Sequence, residues 1–439
     1  MTHGRRWLEL GFLVPALLIG ALAAASVAAA RSDDLDLSPL PGLLAVATVF
    51  VAMHLVLRLR APLADPYLLP LVAAVTAVGL SAVYRVDADL ARDQVIWIVV
   101  GGIVFVGVIL LLPDPRVLQT YRYLIGLAGV ALLGITMAVG TTINGAKLWI
   151  ELPGGQTVQP GEIAKVLIVI FIAGYLRDKR EVLAIPTREV GGVGLPSARH
   201  FGPVVVLVAL ALALVVVLND FGTALLFFGA FLAMLYMATG RVAYVAVGIG
   251  LFIAGSAAVY AAVPRVRDRV DVWLHPFDDP EGRGFQLVQS LYAMADGGVM
   301  GRGLGKAYLV TTEGVRVIPA LETDFIFSAV AAELGYLGAV GVLLAFLLLV
   351  QRGFVIASEA TDGFTKLLAG GLTAVVALQT LLIVGGVVRL VPLTGVTLPF
   401  MSYGGSSVVT NFGLVALLLA VSHRSRAGSP RRSRTGSRS

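Results

Sequence analysis

Twelve apolar runs constrain this chain more than any other feature. They lie near residues 8–30, 40–57, 67–84, 94–112, 122–140, 161–176, 202–218, 221–239, 242–263, 325–350, 367–390 and 403–422. Each is long enough to cross the roughly 30 Å hydrocarbon core of a bilayer as a helix. With 58% hydrophobic and only 14% charged residues, and a mean hydropathy of +0.90, the chain has too little polar material to clothe a soluble domain of 439 residues. The expectation is an all-α integral membrane protein, a polytopic bundle of about twelve transmembrane helices. The first run follows Arg5 and Arg6 and ends in alanine-rich sequence, which a cleaved signal peptide would also do; its length favours a true span.

Charge sets the orientation. With the N-terminus cytoplasmic, 20 of the 33 Lys and Arg residues fall on inner segments. Of the 13 outer ones, seven sit in one long loop, 264–323, where the positive-inside rule loses force. Both termini are therefore expected in the cytoplasm and the large loop outside. The net charge of +6 does not point to nucleic acid, because six basic residues lie in the last 16 positions, a Ser/Gly/Arg tail (424–439) expected to be disordered near anionic lipid. No cysteine is present, which excludes disulfides and thiolate metal sites. His3, His54, His200, His275 and His423 are scattered without helical pairing, which argues against a histidine-built metal site.

The polar groups that stand out all pool at the outer face. The long loop closes on Ile318-Pro-Ala-Leu-Glu-Thr-Asp324 and leads straight into the tenth run, so Glu322 and Asp324 stand at the mouth of a helix. Two readings of that pair are open: capping of the helix N-terminus, or chemistry on a lipid-borne head group. Thr141–Pro160 carries Lys147 and Trp149, then opens a helix with Pro160, Glu162 and Lys165. The last two share a face as an anchoring ion pair or a functional one, and Trp149 suits an interfacial belt. Asp220 sits at a tight outward turn as a natural cap. Arg265 and Arg269 share a helical face that suits a diphosphate or a snorkelling pair. Gln286, Gln289 and Ser290 form a polar stripe on a helix expected to lie in the interface. GRGLGKA (301–307) lacks Walker spacing, so no nucleotide is expected. Pro392–Ser407, with Ser402 and Ser406, looks re-entrant, since glycines, prolines and hydroxyls at membrane depth need protein or water to satisfy their backbone. A transporter would instead place charge near the midplane between repeats. Only Glu333, nine residues into the tenth run, departs from the outer pool.

Taken in order, NGAKLW with QPGEIAK, NDFGTA, the arginines followed by HPFDDP, GFQLVQSL and GGVMGRGLG, ETDFIFSAVAAELG, and PLTGVTLPFMSYGGSS resemble the SEDS glycosyltransferases, the RodA and FtsW proteins of cell-wall synthesis. The resemblance runs from about Asp65 to His423, and VGGVVRLVPLTG and DPYLLP are closer to the RodA branch. It implies a ten-helix core (64–423), two extra N-terminal helices (1–63) and the basic tail.

It further implies a lipid II polymerase in the bacterial plasma membrane with an extracytoplasmic active site, working with a class B penicillin-binding protein. Asp324 would be the catalytic base. Glu162, Lys165, Asp220 and Trp149 match the family's other marked positions, with Lys147, Arg265, Arg269, Ser402 and Ser406 as further substrate-binding candidates. Departures stand beside these matches: Ala320 and Glu322 replace a glutamate and a histidine, Leu148 a basic residue, and Ala332 an acid. The 4-hydroxyl of one lipid-linked sugar would attack the anomeric carbon of another. A diphosphate leaving group needs cationic stabilisation, from Lys165, Arg265, Arg269 or a divalent ion such as Mg or Mn, rather than a proton donor. A flippase for the lipid-linked precursor, a division-type polymerase and a docking scaffold are the rival readings.

Overall fold

The structure is a computed structural model that describes residues 2–31, 38–143, 145–152, 155–184, 188–190, 193–195, 198–311 and 314–428. Among the described residues fifteen helices follow one another: α1 Thr2–Arg31, α2 Leu40–Arg60, α3 Leu68–Val86, α4 Ala88–Leu111, α5 Val117–Thr120, α6 Arg122–Val139, α7 Pro160–Ala184, α8 Ala198–Val217, α9 Phe221–Thr239, α10 Val242–Ala262, α11 Pro264–Leu274, α12 Phe285–Gly297, α13 Ile326–Glu359, α14 Gly363–Val387 and α15 Gly405–Ala427. Twelve of them coincide with the twelve apolar runs. Ten are long and apolar enough to cross a membrane. Of the other two, α8 offers the apolar stretch Phe201–Val217, and α7 carries Glu162 and Lys165 near its start.

Aspartates punctuate the turns. Asp87 accepts from the N–H groups of Asp89 and Leu90, Asp220 from Thr223, and Asp362 from Phe364 and Thr365, each satisfying donors that the first helical turn leaves open. The loop after α6 forms a small sheet. Strands β1 Thr141–Ile143, β2 Ala146–Glu151 and β3 Thr157–Val158 form an antiparallel sheet in the order β1-β2-β3, with Thr141 opposite Trp149 and Ile150 opposite Val158. A hairpin of β4 Arg188–Val190 and β5 Val193–Leu195 joins α7 to α8 at the other end.

Helices α3, α14 and α15 are mostly buried, whereas α10 is almost wholly exposed on the bundle's flank. The two N-terminal helices are docked: α1 lies against α3 with Gly20 on Ala77, and α2 against α4 with Val49 on Gly102. At one end the two are tied by buried charge. Glu9 is fully buried, pairs with Arg6 and lies 2.6 Å from His54 Nδ1, while Arg6 also donates to the Ala64 carbonyl. Next to it, buried Asp65 accepts from Arg352 and from Arg426 at 3.3 Å. Arg424 and Arg426, expected in a disordered tail, are instead helical, because α15 continues to Ala427. The tail residues 429–439 lie outside the described residues.

Helix α12 packs along the start of α13, with Ser290 Oγ 2.7 Å from Ser328 Oγ. Helix α13 is broken at Gly335 (φ 68°, ψ −168°), where the glycine-rich loop crosses it: the N–H groups of Tyr336 and Leu337 donate to Gly298 and Val299, and those of Arg302 and Gly303 to Ala332 and Glu333. A side chain at Gly301 would sit 2.1 Å from the Glu333 carbonyl oxygen, so these glycines serve backbone approach rather than phosphate binding.

Burial decides what the ion pairs contribute. Removing Glu9 strands Arg6 and His54 among helices, and Glu9→Ala is expected to destabilise by about 3–5 kcal/mol. Asp89→Ala, whose pair with Arg92 is largely solvent-exposed, should cost less than about 1 kcal/mol. Thermal unfolding in one detergent compares the two.

Candidate active site

Helix α11 opens with Pro264, which sets Arg265 and Arg269 one turn apart on the same face. Arg265 Nη1 donates to the Gly145 carbonyl at 2.7 Å, tying α11 to the β1–β2 hairpin. Arg269 Nη1 donates to the Thr394 carbonyl at 3.3 Å, tying it to the segment between α14 and α15. Between them opens a cleft of about 310 Å³ whose wall includes Arg265, Arg269, Trp273, Arg283, Gln286 and Asp324. Arg283 is held by Asp268 at 2.9 Å. At the cleft's back, a Cβ on Gly395 would meet Arg269 Nη2 at 3.8 Å and Asp324 Oδ2 at 3.9 Å, so this residue leaves the guanidinium and the carboxylate facing one space.

Asp324 is presented by a tight turn. Ala320, at φ 57°, directs its carbonyl to the N–H groups of Thr323 (3.2 Å), Asp324 (3.0 Å) and Phe325 (3.4 Å). Behind the turn, Ser402 Oγ donates to the Thr323 carbonyl at 2.5 Å, and the Tyr403 N–H donates to the Glu322 carbonyl at 2.8 Å. No side chain caps α13, whose N-cap position is Phe325. The capping explanation for Glu322, Thr323 and Asp324 therefore fails. Glu322 turns away to Arg316 (2.7 Å), which also holds Asp87 at 3.1 Å.

The electrostatics match a base. Burial pushes the Asp324 carboxyl up to about 6; nearby Glu322 adds to the rise, while a Thr323 hydrogen bond and Arg269 oppose it. Burial also raises Asp220, against the pull of Thr223 and Arg269 and with a push from Glu162. Arg269 is lowered by burial and then by Arg265, with Asp324 and Asp220 acting the other way. These shifts place Asp220 and Glu162 within electrostatic reach of the cleft, although neither lines it.

The other expected residues lie outside the cleft's wall. Lys165 and Glu162 pair at 2.6 Å and are almost fully buried, and Lys165 also reaches Gln379 Oε1 at 3.0 Å. Gln379 Nε2 in turn donates to the Thr397 carbonyl at 2.8 Å. Lys147 Nζ donates to the Met137 and Ala138 carbonyls at the end of α6, as a cation at a helix C-terminus should. Trp149 lies in β2, and Ser406 Oγ accepts from the Gln159 N–H at 2.8 Å. Glu333 pairs with Arg85 at 3.1 Å and accepts from the Gly305 N–H at 3.0 Å, a brace for the glycine loop. Sequence reasoning missed Gln94, Gln379, Arg316, Trp273 and Arg389. The signal available for the glutamines was a lone amide in an apolar run.

The family model described as a cell cycle protein of the FtsW, RodA and SpoVE type matches residues 58–427. The chain belongs to this family. It is 39% identical over 396 residues to the peptidoglycan glycosyltransferase RodA of Mycobacterium tuberculosis (strain ATCC 25618 / H37Rv), covering 87% of this chain and 83% of that one. It is 31% identical over 382 residues to a probable peptidoglycan glycosyltransferase FtsW of Geobacter metallireducens, covering 83% and 96%. Among solved structures, one of a peptidoglycan synthase complex that coordinates polymerization and crosslinking superposes with a TM-score of 0.65 at 26% identity, over 83% of this chain and 99% of that one. The RodA of Thermus thermophilus gives 0.58 at 25%, over 83% and 98%. Within the family, the identities favour the RodA branch.

A carboxyl raised by folding stabilises the folded chain only while protonated. That contribution is complete below 3.8 and is lost as pH rises through about 6. Asp324→Asn keeps the uncharged shape. It is expected to match the native chain near about pH 4 and to exceed it near about pH 8 by no more than about 3 kcal/mol, read from unfolding midpoints at the two pH values.

Proposed function

We propose that the chain is a peptidoglycan glycosyltransferase of the RodA type that polymerises lipid II through Asp324. The observation that carries this is one uncapped, burial-raised carboxylate facing a cleft that arginines otherwise dominate. Asp324 takes the proton of the acceptor's 4-hydroxyl as that oxygen forms its bond to the donor's anomeric carbon. The bond from that carbon to the phosphate oxygen breaks, and the polyprenyl diphosphate leaves with the electron pair. Arg265 and Arg269 meet the charge that develops on it.

Of the expected sources of positive charge, Arg265 and Arg269 line the cleft, and Lys165, engaged by Glu162 and Gln379, does not. Among the described residues no three His, Asp or Glu side chains converge, and Asp268 is already engaged by Arg283, so no step is routed through Mg or Mn. Lys165 with Glu162, through Gln379 and Thr397, and Ser402, behind Thr323, support the segments that carry Gly395 and Asp324, whereas Lys147, Trp149, Asp220 and Ser406 lie outside the cleft's wall.

The cleft opens on the outer side by the charge rule, with both termini cytoplasmic. A class B penicillin-binding protein is the proposed partner, supported by the likeness to a synthase complex, and the RodA identities support a role in elongation.

Polymer formed from lipid-linked disaccharide by purified protein in detergent, where no sidedness exists, separates this reading from a flippase. Asp324→Ala is expected to lose at least about 10²-fold in rate; normal glycan chains from that variant would sink the proposal. The rate should fall about tenfold per unit below about pH 6. Because Arg269 pulls the Asp324 value down, Arg269→Ala should move that acid limb to higher pH.

A further inference from the structure

The cleft contains one aromatic group that the transfer chemistry leaves unused. Trp273, in the last turn of α11, lines it together with Asp324 and the arginines. The other aromatic on the wall, Phe325, is only 1% exposed and gives its faces to the core. Trp273 is half-buried, and its one polar atom is already spent, since the indole N–H donates to the Arg389 carbonyl at 3.0 Å. What remains toward the cleft is a flat apolar surface.

That surface is held from both directions. The Arg389 guanidinium donates back to the Trp273 carbonyl from Nε (3.2 Å) and Nη2 (3.1 Å), and from Nη2 to the Leu274 carbonyl (3.0 Å). These carbonyls end α11 and have no helical partners, so a cation suits them. Arg389 pays for this reach in conformation: it sits at φ 62°, just past the end of α14, where helices commonly place glycine. The Arg389 carbonyl takes the ring's N–H, and the guanidinium, anchored on the Trp273 and Leu274 carbonyls, holds that carbonyl in place and with it the tilt of the ring.

We propose that the Trp273 indole is the platform on which a pyranose ring of the lipid-linked substrate stacks, and that Arg389 is the residue that positions it. Resting on the glycosyl-transfer reading of the cleft, this adds the part that charge cannot supply. Arginines recognise a diphosphate and Asp324 a hydroxyl, but the carbon-bound hydrogens on one face of a sugar ring need an apolar plane. A rigid aromatic with its polar handle engaged provides one at little entropic cost.

The test is binding rather than turnover, on full-length protein in the Asp324→Asn background, with lipid-linked disaccharide as probe. Adding Trp273→Ala is expected to weaken the dissociation constant at least about tenfold, and Trp273→Phe, which keeps an aromatic face, to fall between the two. Arg389→Gly fits the left-handed backbone yet removes the guanidinium. It should weaken binding severalfold alone and add nothing to Trp273→Ala, because it acts through the ring. Binding within about twofold of the parent after Trp273→Ala would overturn the platform alone, and additive losses in the double variant would overturn the positioning role. Absence of binding by Asp324→Asn itself would overturn the substrate reading, and the platform with it.

Discussion

Backbone that is not helical can exist at the rim of a bilayer only where protein or water satisfies its N–H and C=O groups. Residues 388–404 meet that condition with borrowed side chains. Gln379 serves the Thr397 carbonyl, Gln94 bridges the Ser402 carbonyl and the Gly404 N–H, and Ser402 accepts from Leu398. Leu393 and Gly395 of this segment line the cleft, Thr394 accepts from Arg269, and Ser402 stands behind Thr323. The buried Lys165–Glu162 pair belongs to the same system, since Lys165 orients the amide of Gln379 that holds Thr397.

The two ends of the bundle manage charge differently. At the end where α1, α2, α13 and α15 meet, Arg6, Glu9, His54, Asp65, Arg352 and Arg426 are matched with one another, as charges removed from water must be. At the other end the cleft gathers three arginines against two aspartates. The surplus of positive charge is what a diphosphate requires, and the lone raised carboxylate is what a hydroxyl requires.

Much of this was legible in the sequence. Hydrophobic run length placed the twelve long helices, and the pooling of polar residues in the loops grouped Asp324, Arg265 and Arg269, which share one cleft. Proximity was not legible. The spacing of Glu162 and Lys165 left an anchoring ion pair and a functional one both open, because burial depth leaves no trace in a linear pattern. The partner that absorbs Lys165, Gln379, lies 214 residues away. The β1–β2–β3 sheet was missed because its strands are too short for alternation to show, and the helical course of Arg424 and Arg426 because their partners, among them Asp65, are far upstream. The capping of α13 failed for a local reason, the turn at Ala320, whose carbonyl takes the N–H groups of Thr323, Asp324 and Phe325 and leaves Phe325 at the N-cap position.

The interruption of α13 at Gly335 divides what would otherwise be one rod running the depth of the bundle. Residues before the break are fastened to α12 and the glycine loop, and those beyond it run on to Arg352 and its bond with Asp65. Across Gly335 the N–H groups of Tyr336 and Leu337 turn to Gly298 and Val299 instead of the preceding turn of their own helix, so the glycine loop is the splice between the two parts. The short part that follows the Asp324 turn is thereby anchored on the cleft's side of the bundle by α12 and the glycine loop, and the long part is anchored separately by Arg352 and Asp65.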